Sequence, residues 1–325
     1  MAIAFKNGRL TVRRSEHISR RLKLRHLNVL LAVVQSGSMA KAAEQLAISQ
    51  PVVSKAIAEL ENTLGVRLLD RSPRGVEPTL YGRALVRRGV AILNDLRTSV
   101  DELEFLSDPT AGELRIGSSE SIAAGMLCPI IDRLTRRHPR LTFEVTLGGG
   151  LSDLQDRELR AHNIDLIIGR MPRTIAEDMD AEVLYREEVF VVAGPANRWA
   201  RRRKIALAEL IDETWCLPPL ESFPWSLIGD AFRAEGLDPP RSVVIARSIL
   251  LQNGLLATGR FLTILPGAML RFSTKSMALK ILPVRVPIQP WPVGIVTLKN
   301  RTLSPVAQLF VECARDVARP LAKSR

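Results

Sequence analysis

The segment "AISQPVVSKAIAEL" at residues 47–60 brings Ser49, Gln50, Pro51, Ser54 and Lys55 into one short stretch. None of these residue types makes a catalytic pair at that spacing. Their chemistry is recognition: amides and hydroxyls can read base edges, a lysine can meet a phosphate, and a proline ring can touch a thymine methyl. For that they must share one exposed face. Laid on a helix at about 100° per residue, Val53, Ala56, Ile57, Leu60 and Leu64 fall on one arc, opposite Gln50, Pro51, Ser54, Lys55 and Ala58. Ser49 stands at the N-cap, where its hydroxyl can accept an unpaired N–H. Pro51 falls in the first turn, where its missing N–H costs no helical bond. Taken alone, the pattern also fits an ordinary solvated amphipathic helix.

The neighbouring elements supply the context. In "LRHLNVLLAVVQSGSMAKAAEQL" Leu27, Leu30, Leu31 and Val34 follow the i, i+3, i+4, i+7 spacing of a helix. Gly37 ends it, and Ser38 can cap a second helix with Ala42, Ala43 and Leu46 facing inward. A turn from Ala47 to Ser49 leads into the third helix, and the small alanines let neighbouring helices approach closely, as in a helix-turn-helix. Gly65 stops the third helix. "VRLLDRSPRGVEPT" then reads as two extended pieces around a Pro73–Gly75 turn, with Arg67, Arg71 and Arg74 on the hairpin. This is a winged helix-turn-helix, whose second motif helix enters a major groove by its N-terminal end.

The charge is concentrated in the same quarter. Residues 1–90 hold 16 Lys and Arg against 6 Asp and Glu, a net of +10 out of +12 for the chain. Such a field attracts phosphate backbones and releases their counterions.

The run "SGSMAKAAEQLAISQPVVSKAIAELENTLGVRLLDRSPRGVEPTLYG" resembles the DNA-binding domain of LysR-type transcriptional regulators. The shared features are the Ser-Met-x-x-Ala-Ala start, the Ser-Gln-Pro-x-x-Ser core, the Leu-Glu-x-x-Leu-Gly stop, the wing and the closing Thr-x-x-Gly. The resemblance implies that Gln50, Pro51, Ser54 and Lys55 contact bases or nearby phosphates. It implies that Ser38, Arg71, Arg74 and Thr79 contact the backbone, with Ser49 and Arg67 completing the DNA-binding set. Lys55 is often Arg in the family, which leaves base preference there open. The implied partners are double-stranded promoter DNA, a small-molecule effector, RNA polymerase and further copies of the chain, as a homodimer or homotetramer.

Between Leu80 and Leu106 there is no proline, and Thr79 can cap the start. Val86, Leu93, Leu96, Val100 and Leu103 fall at heptad a/d spacing, with Gly89 in one slot. They form either a dimer seam or the face of a core helix. "SDPTAGEL" breaks the pattern. Beyond it, strand-like runs alternate with helical ones, from "LRIGSS" to "VGIVTL", and read as a parallel α/β sheet. The expected fold is α/β: a tail over 1–20, a winged helix-turn-helix over 21–82, a linker helix over 79–108, and an effector domain over 112–322. The effector domain divides into subdomain I, 112–193 with 287–322, and subdomain II, 194–286. This layout, with "AGELRIG", "DLIIG" and "FLTILP", resembles the LysR effector domain, itself similar to a type 2 periplasmic binding protein.

Ligands of open α/β sheets bind beyond the carboxyl ends of the strands. The first such loop, "GSSES", offers Ser118, Ser119, Glu120 and Ser121 at a helix start. Gly149, Gly169, Arg170, Pro218 and Ser248 sit at other strand ends. Glu120 opposes an anionic ligand but suits hydroxyls or a cation. It can equally complement its own helix dipole from the surface.

Other chemistry finds little footing. "LGGGLSD" lacks the G-x-G-x-x-G spacing, and there is no Walker lysine or G-x-S-x-G elbow. The four histidines make no H-E-x-x-H pair, and no cofactor or metal is expected. Cys128 and Cys313 read as small core residues, and three distant cysteines suit a reducing compartment. "RRRK" at 201–204 is either a solvated loop or a second nucleic-acid patch. No apolar run reaches 18 residues and no signal-like leader is seen, so a cytoplasmic protein is expected. The expected function is a ligand-responsive regulator without enzymatic activity. The rivals are a DNA-binding protein whose C-terminal half is an assembly scaffold, or one fused to an enzyme domain.

Overall fold

A computed structural model describes residues 21–72, 75–148, 154–172, 174–219, 223–240, 244–273 and 279–322. Arg74 and Gly149 fall outside them, as does the 1–20 segment. The chain divides into two compact units, Met1–Ser99 and Val100–Arg325.

The first unit begins with α1 (Leu24–Ser36), α2 (Met39–Gln45) and α3 (Gln50–Leu64). Gly37 and Gly65 end α1 and α3 in the left-handed conformation. Leu27, Leu30, Val33, Ala42, Val53, Ile57 and Leu60 are fully buried. Each large one contributes about 1.5–3 kcal/mol of apolar burial. The wing is an antiparallel pair, β1 (Leu69–Ser72) and β2 (Gly75–Pro78). Glu61 on α3 pins it: its Oε1 accepts from Leu68 N at 2.7 Å and from Leu69 N at 3.2 Å.

The helix α4 (Leu80–Ser107) follows. Thr79 Oγ1 accepts from Gly82 N at 3.0 Å and donates to Arg67 O at 2.8 Å. A Cβ on Gly82 would lie 2.1 Å from Leu68 O, so the wing crosses this turn at a distance only glycine allows. Thus the Thr-x-x-Gly spacing ties wing to helix. Val86, expected in the heptad seam, is half-buried and packs against the core of the winged unit. Leu93 is half-buried, whereas Leu96, Val100 and Leu103 are exposed.

In the second unit, one sheet has the order β4–β3–β5–β12–β6. It comprises β3 (Ala111–Ser118), β4 (Arg140–Leu147), β5 (Leu166–Arg170), β6 (Met179–Glu187) and β12 (Trp291–Leu298). The other has the order β11–β7–β10–β8–β9. It comprises β7 (Val189–Ala193), β8 (Thr214–Leu217), β9 (Val244–Ile245), β10 (Phe261–Pro266) and β11 (Lys280–Ile281). Helices α5 (Cys128–Arg137) and α9 (Pro305–Ala322) cover the first sheet around Leu114, Ile116, Ile130 and Phe310. In the second subdomain, α6 (Phe223–Ala234) brings Phe232 edge-on to Trp215, ring centroids 6.1 Å apart. The remaining helices are α7 (Ile249–Ala257) and α8 (Gly267–Ser273).

Two expectations are corrected. The sheets are mixed, not parallel: β12 runs antiparallel to β5 and β6, and β10 antiparallel to β7. Strands re-entering from the opposite subdomain arrive from the other direction. The subdomain boundary also moves. β7 belongs to the second sheet, so the first crossing is at Glu188 instead of Ala193–Gly194. The apolar "VFVVA" continues β6 without a turn signal, so sequence alone reads the two strands as belonging to one subdomain. No helix of the described residues is long and apolar enough to cross a membrane.

Candidate nucleic-acid interface and effector cleft

At the start of α3, Gln50, Pro51 and Lys55 are exposed and Ser54 is half-exposed, directly opposite the buried Val53–Ile57–Leu60 face. Local packing therefore aims the polar side chains outward. Val52 joins this tip at 43% exposure, an apolar group that the sequence reading left out. Ser49 and Ser38 occupy N-cap positions, yet neither makes a side-chain cap bond. The expected caps are thus absent. The backbone carbonyl of Ser49 takes the N–H groups of Val52 and Val53 instead. Arg67 and Arg71 are exposed along the wing. The hydroxyl of Thr79 is spent on Arg67 O and Gly82 N, so its position is that of a positioning residue. Glu61, which fixes wing against helix, was hidden in the Leu-Glu-x-x-Leu-Gly pattern.

The second unit encloses a cavity of about 390 Å³ between its two sheets. Of the expected residues, Ser119, Glu120, Ser121 and Pro218 line it. Four do not. Ser118 is fully buried and donates to Ile168 O at 2.9 Å. Gly169 and Arg170 sit in the ladder opposite Gly294 and Val293. Ser248 caps α7, accepting from Leu251 N at 3.3 Å. Strand-end position alone does not fix direction; the pleat turns alternate residues away.

The rest of the wall is mostly apolar, including Leu147, Val189, Ile264, Pro266 and Trp291, with Arg247 and Gln252 as polar members. Gln252 was missed by sequence reading. It is one of two adjacent amides, Gln252 and Asn253, inside the mostly apolar helix "ILLQNGLLA", and that pair is the signal that could have found it. The Gln252 Nε2 donates to Ala246 O at 3.0 Å, and its buried Oε1 has no hydrogen-bond partner among the described residues.

Two carboxylates cross between the subdomains. Glu120 Oε1 accepts from Ile249 N at 3.0 Å, the first residue of α7. Glu187 Oε1 accepts from Ala268 N at 3.1 Å, and its Oε2 from the Tyr185 hydroxyl at 2.7 Å. Burial pushes the Glu187 carboxyl above its ordinary value, and these donors only partly offset it. Burial, with Glu187 beside it, pushes the Tyr185 phenol up as well. Cys216 and Cys313 are buried, but Cys128 is exposed, contrary to its expected core position.

Residues 24–83 match the bacterial regulatory helix-turn-helix of the LysR family, and residues 107–319 the LysR substrate binding domain. The HTH-type transcriptional regulator GbpR of Azospirillum brasilense is 34% identical over 297 residues, covering 91% of this chain and 86% of that protein. Two solved structures share the fold. A full-length OxyR variant from Pseudomonas aeruginosa has a TM-score of 0.66 at 20% identity, covering 94% of this chain and 99% of that one. Full-length CbnR complexed with its target DNA has a TM-score of 0.61 at 24% identity, covering 91% and 100%. With both of its domains matched, the chain belongs to the LysR family of bacterial transcriptional regulators.

Proposed function

We propose that this regulator reads promoter DNA with the exposed start of α3 and responds to a small molecule seated between its two effector subdomains. The observation that carries the reading is the tip of α3: Gln50, Pro51 and Lys55 stand in solvent on a helix whose opposite face is fully buried. Gln50 is assigned to a base edge, Lys55 and Ser54 to bases or adjacent phosphates, and Arg67 and Arg71 to phosphates. Ser38 and Ser49, whose hydroxyls make no cap bond, are assigned to the backbone. The α4 face bearing Leu96, Val100 and Leu103 is assigned to a second copy of the chain. The cleft is read as a sensing site, not a catalytic one, in a cytoplasmic protein.

The test is equilibrium binding of the full-length protein to a duplex selected from random sequence and to random DNA. Gln50→Ala should lose roughly 1–3 kcal/mol of discrimination at one base position. Arg71→Ala should weaken both duplexes alike and flatten the log–log salt slope by about one. Equal loss on selected and random DNA for Gln50→Ala removes its assignment to a base.

A further inference from the structure

The stretch "RWARRRK", residues 198–204, holds five Lys and Arg and no acid, although residues 91–325 as a whole are nearly balanced, with 30 Lys and Arg against 28 Asp and Glu. Folding sorts these cations into two kinds. Arg198 and Arg202 lie 5.2 and 5.7 Å from the centroid of the Trp199 ring, and each meets a carboxylate, Glu213 and Glu209 respectively. Arg201, Arg203 and Lys204 are exposed and enter none of the ion pairs among the described residues. Of the acids on the adjoining 205–213 stretch, Glu209 and Glu213 are those already paired, which leaves Asp212. Two more exposed cations arrive from far along the chain. Ile205 bridges to Val284, which brings in Arg285. A Cβ on Gly259 would lie 3.0 Å from that of Ala196, which brings in Arg260.

This basic surface stands at one end of the second sheet, where β7 finishes and β8 and β10 begin. The cavity lies at the other end, by Val189 and Pro266, so a ligand there does not compete with an anion here. Arginine forks suit phosphate oxygens, and each phosphate neutralised releases a counterion. Trp199 is only 8% exposed and offers no ring for a base to stack on, which leaves the backbone of a duplex. An acidic protein fits less well, because residues 195–213 expose no large apolar side chain to anchor one. We propose that this end of the effector unit holds the phosphate backbone of double-stranded DNA without regard to sequence, as a second DNA contact beyond the winged unit.

The test is the salt dependence with which the full-length protein binds a long duplex of random sequence. Each phosphate contact contributes about 0.9 to the log–log slope, so replacing Arg201, Arg203 and Lys204 together by Ala should flatten it by about two to three per chain. Arg203→Ala alone should flatten it by about one, and it decides the matter should the triple variant not fold. Replacing Arg201 and Arg203 by Lys keeps the charge and should keep the slope. Replacing Arg133, Arg136 and Arg137, three exposed arginines of α5, by Ala lowers the net charge equally and should leave the slope as it is. An unchanged slope in the alanine variants of the basic end overturns the proposal. If those variants have instead lost affinity for poly-L-glutamate, the surface belongs to an acidic protein segment. A slope flattened as much by the α5 variant also overturns it, because the effect is then one of net charge and not of this end. So does a slope lost in the lysine variant, since shape and not charge is then at work.

Discussion

Asp165 lies between two arginines from distant parts of the sequence. Its Oδ1 accepts from Arg115 Nη2 at 2.9 Å and from Arg301 Nη2 at 2.7 Å, and its Oδ2 accepts from Arg115 N at 2.9 Å. It thereby joins β3, the entry to β5 and the segment after β12. Removing one partner of a buried ion pair leaves the other charge uncompensated, so Asp165→Ala should cost about 3–5 kcal/mol in urea unfolding. The sign of its pH dependence follows from its surroundings. Burial alone would raise the carboxyl, but hydrogen bonds from Arg115 and the charges of Arg115 and Arg301 outweigh it and hold the group below its ordinary value. A carboxyl lowered on folding stabilises above its unfolded value, near ~3.9, and loses that contribution as the pH falls through the folded value. The stability gap between wild type and Asp165→Ala should therefore be widest near neutrality and shrink below about pH 4. A gap that widened in acid would show that the arginines do not set the Asp165 equilibrium. Nothing in the sequence pairs Asp165 with residues fifty and more positions away, because ion pairs leave no periodic trace.

At the scale of elements, α4 makes the sharpest demand. Ile92, Leu96, Val100 and Leu103 are 45–65% exposed and lie along one side at steps of three and four. Such a stripe is stable when covered, and a second copy of the same helix supplies a matching stripe. Leu96→Asp would put an unpaired charge into that seam. Its sedimentation profile should shift toward the monomer, with the melting of the winged unit unchanged; a dimer that survives would move the interface elsewhere. How much of this was legible depended on how local the cause was. The three helices, the wing and the linker announce themselves by glycines and 3.6-residue spacing, and in the three helices most of the residues the pattern turns inward are buried. The effector half was legible as alternating strands and helices. Its strand directions and its first crossing were not, because they depend on pairings between segments far apart. The site followed the same rule. The tip of α3 could be read from a dozen residues, whereas only folding shows that Ser118 turns into the sheet and that Gln252 comes beside the cavity.

Among the described residues, two carboxylates tie the subdomains of the effector unit together. One is Glu120 on the first turn of α7, and the other is Glu187 on the start of α8. Beside the second, a π-helical segment, Ala123–Leu127, packs against α8. Gly125 makes that packing possible: a Cβ there would lie 2.9 Å from Met269 N and 3.2 Å from Ala268 C. A ligand shifts such a molecule only by binding one arrangement of the subdomains better than another, so the arrangements must interconvert as units. That can be tested without knowing the ligand. Gly125→Val should wedge α8 away from the π segment, a site that contains neither carboxylate. If the subdomains open as rigid bodies, both carboxylate-bound amides lose protection together, although only Ala268 lies beside the wedge. Hydrogen exchange of the Ile249 and Ala268 amides should then quicken in parallel, by about tenfold for each ~1.4 kcal/mol of lost closure. Acceleration confined to Ala268 would mean that the two crossings yield separately, and a molecule bound at Glu120 could then leave the far contact undisturbed.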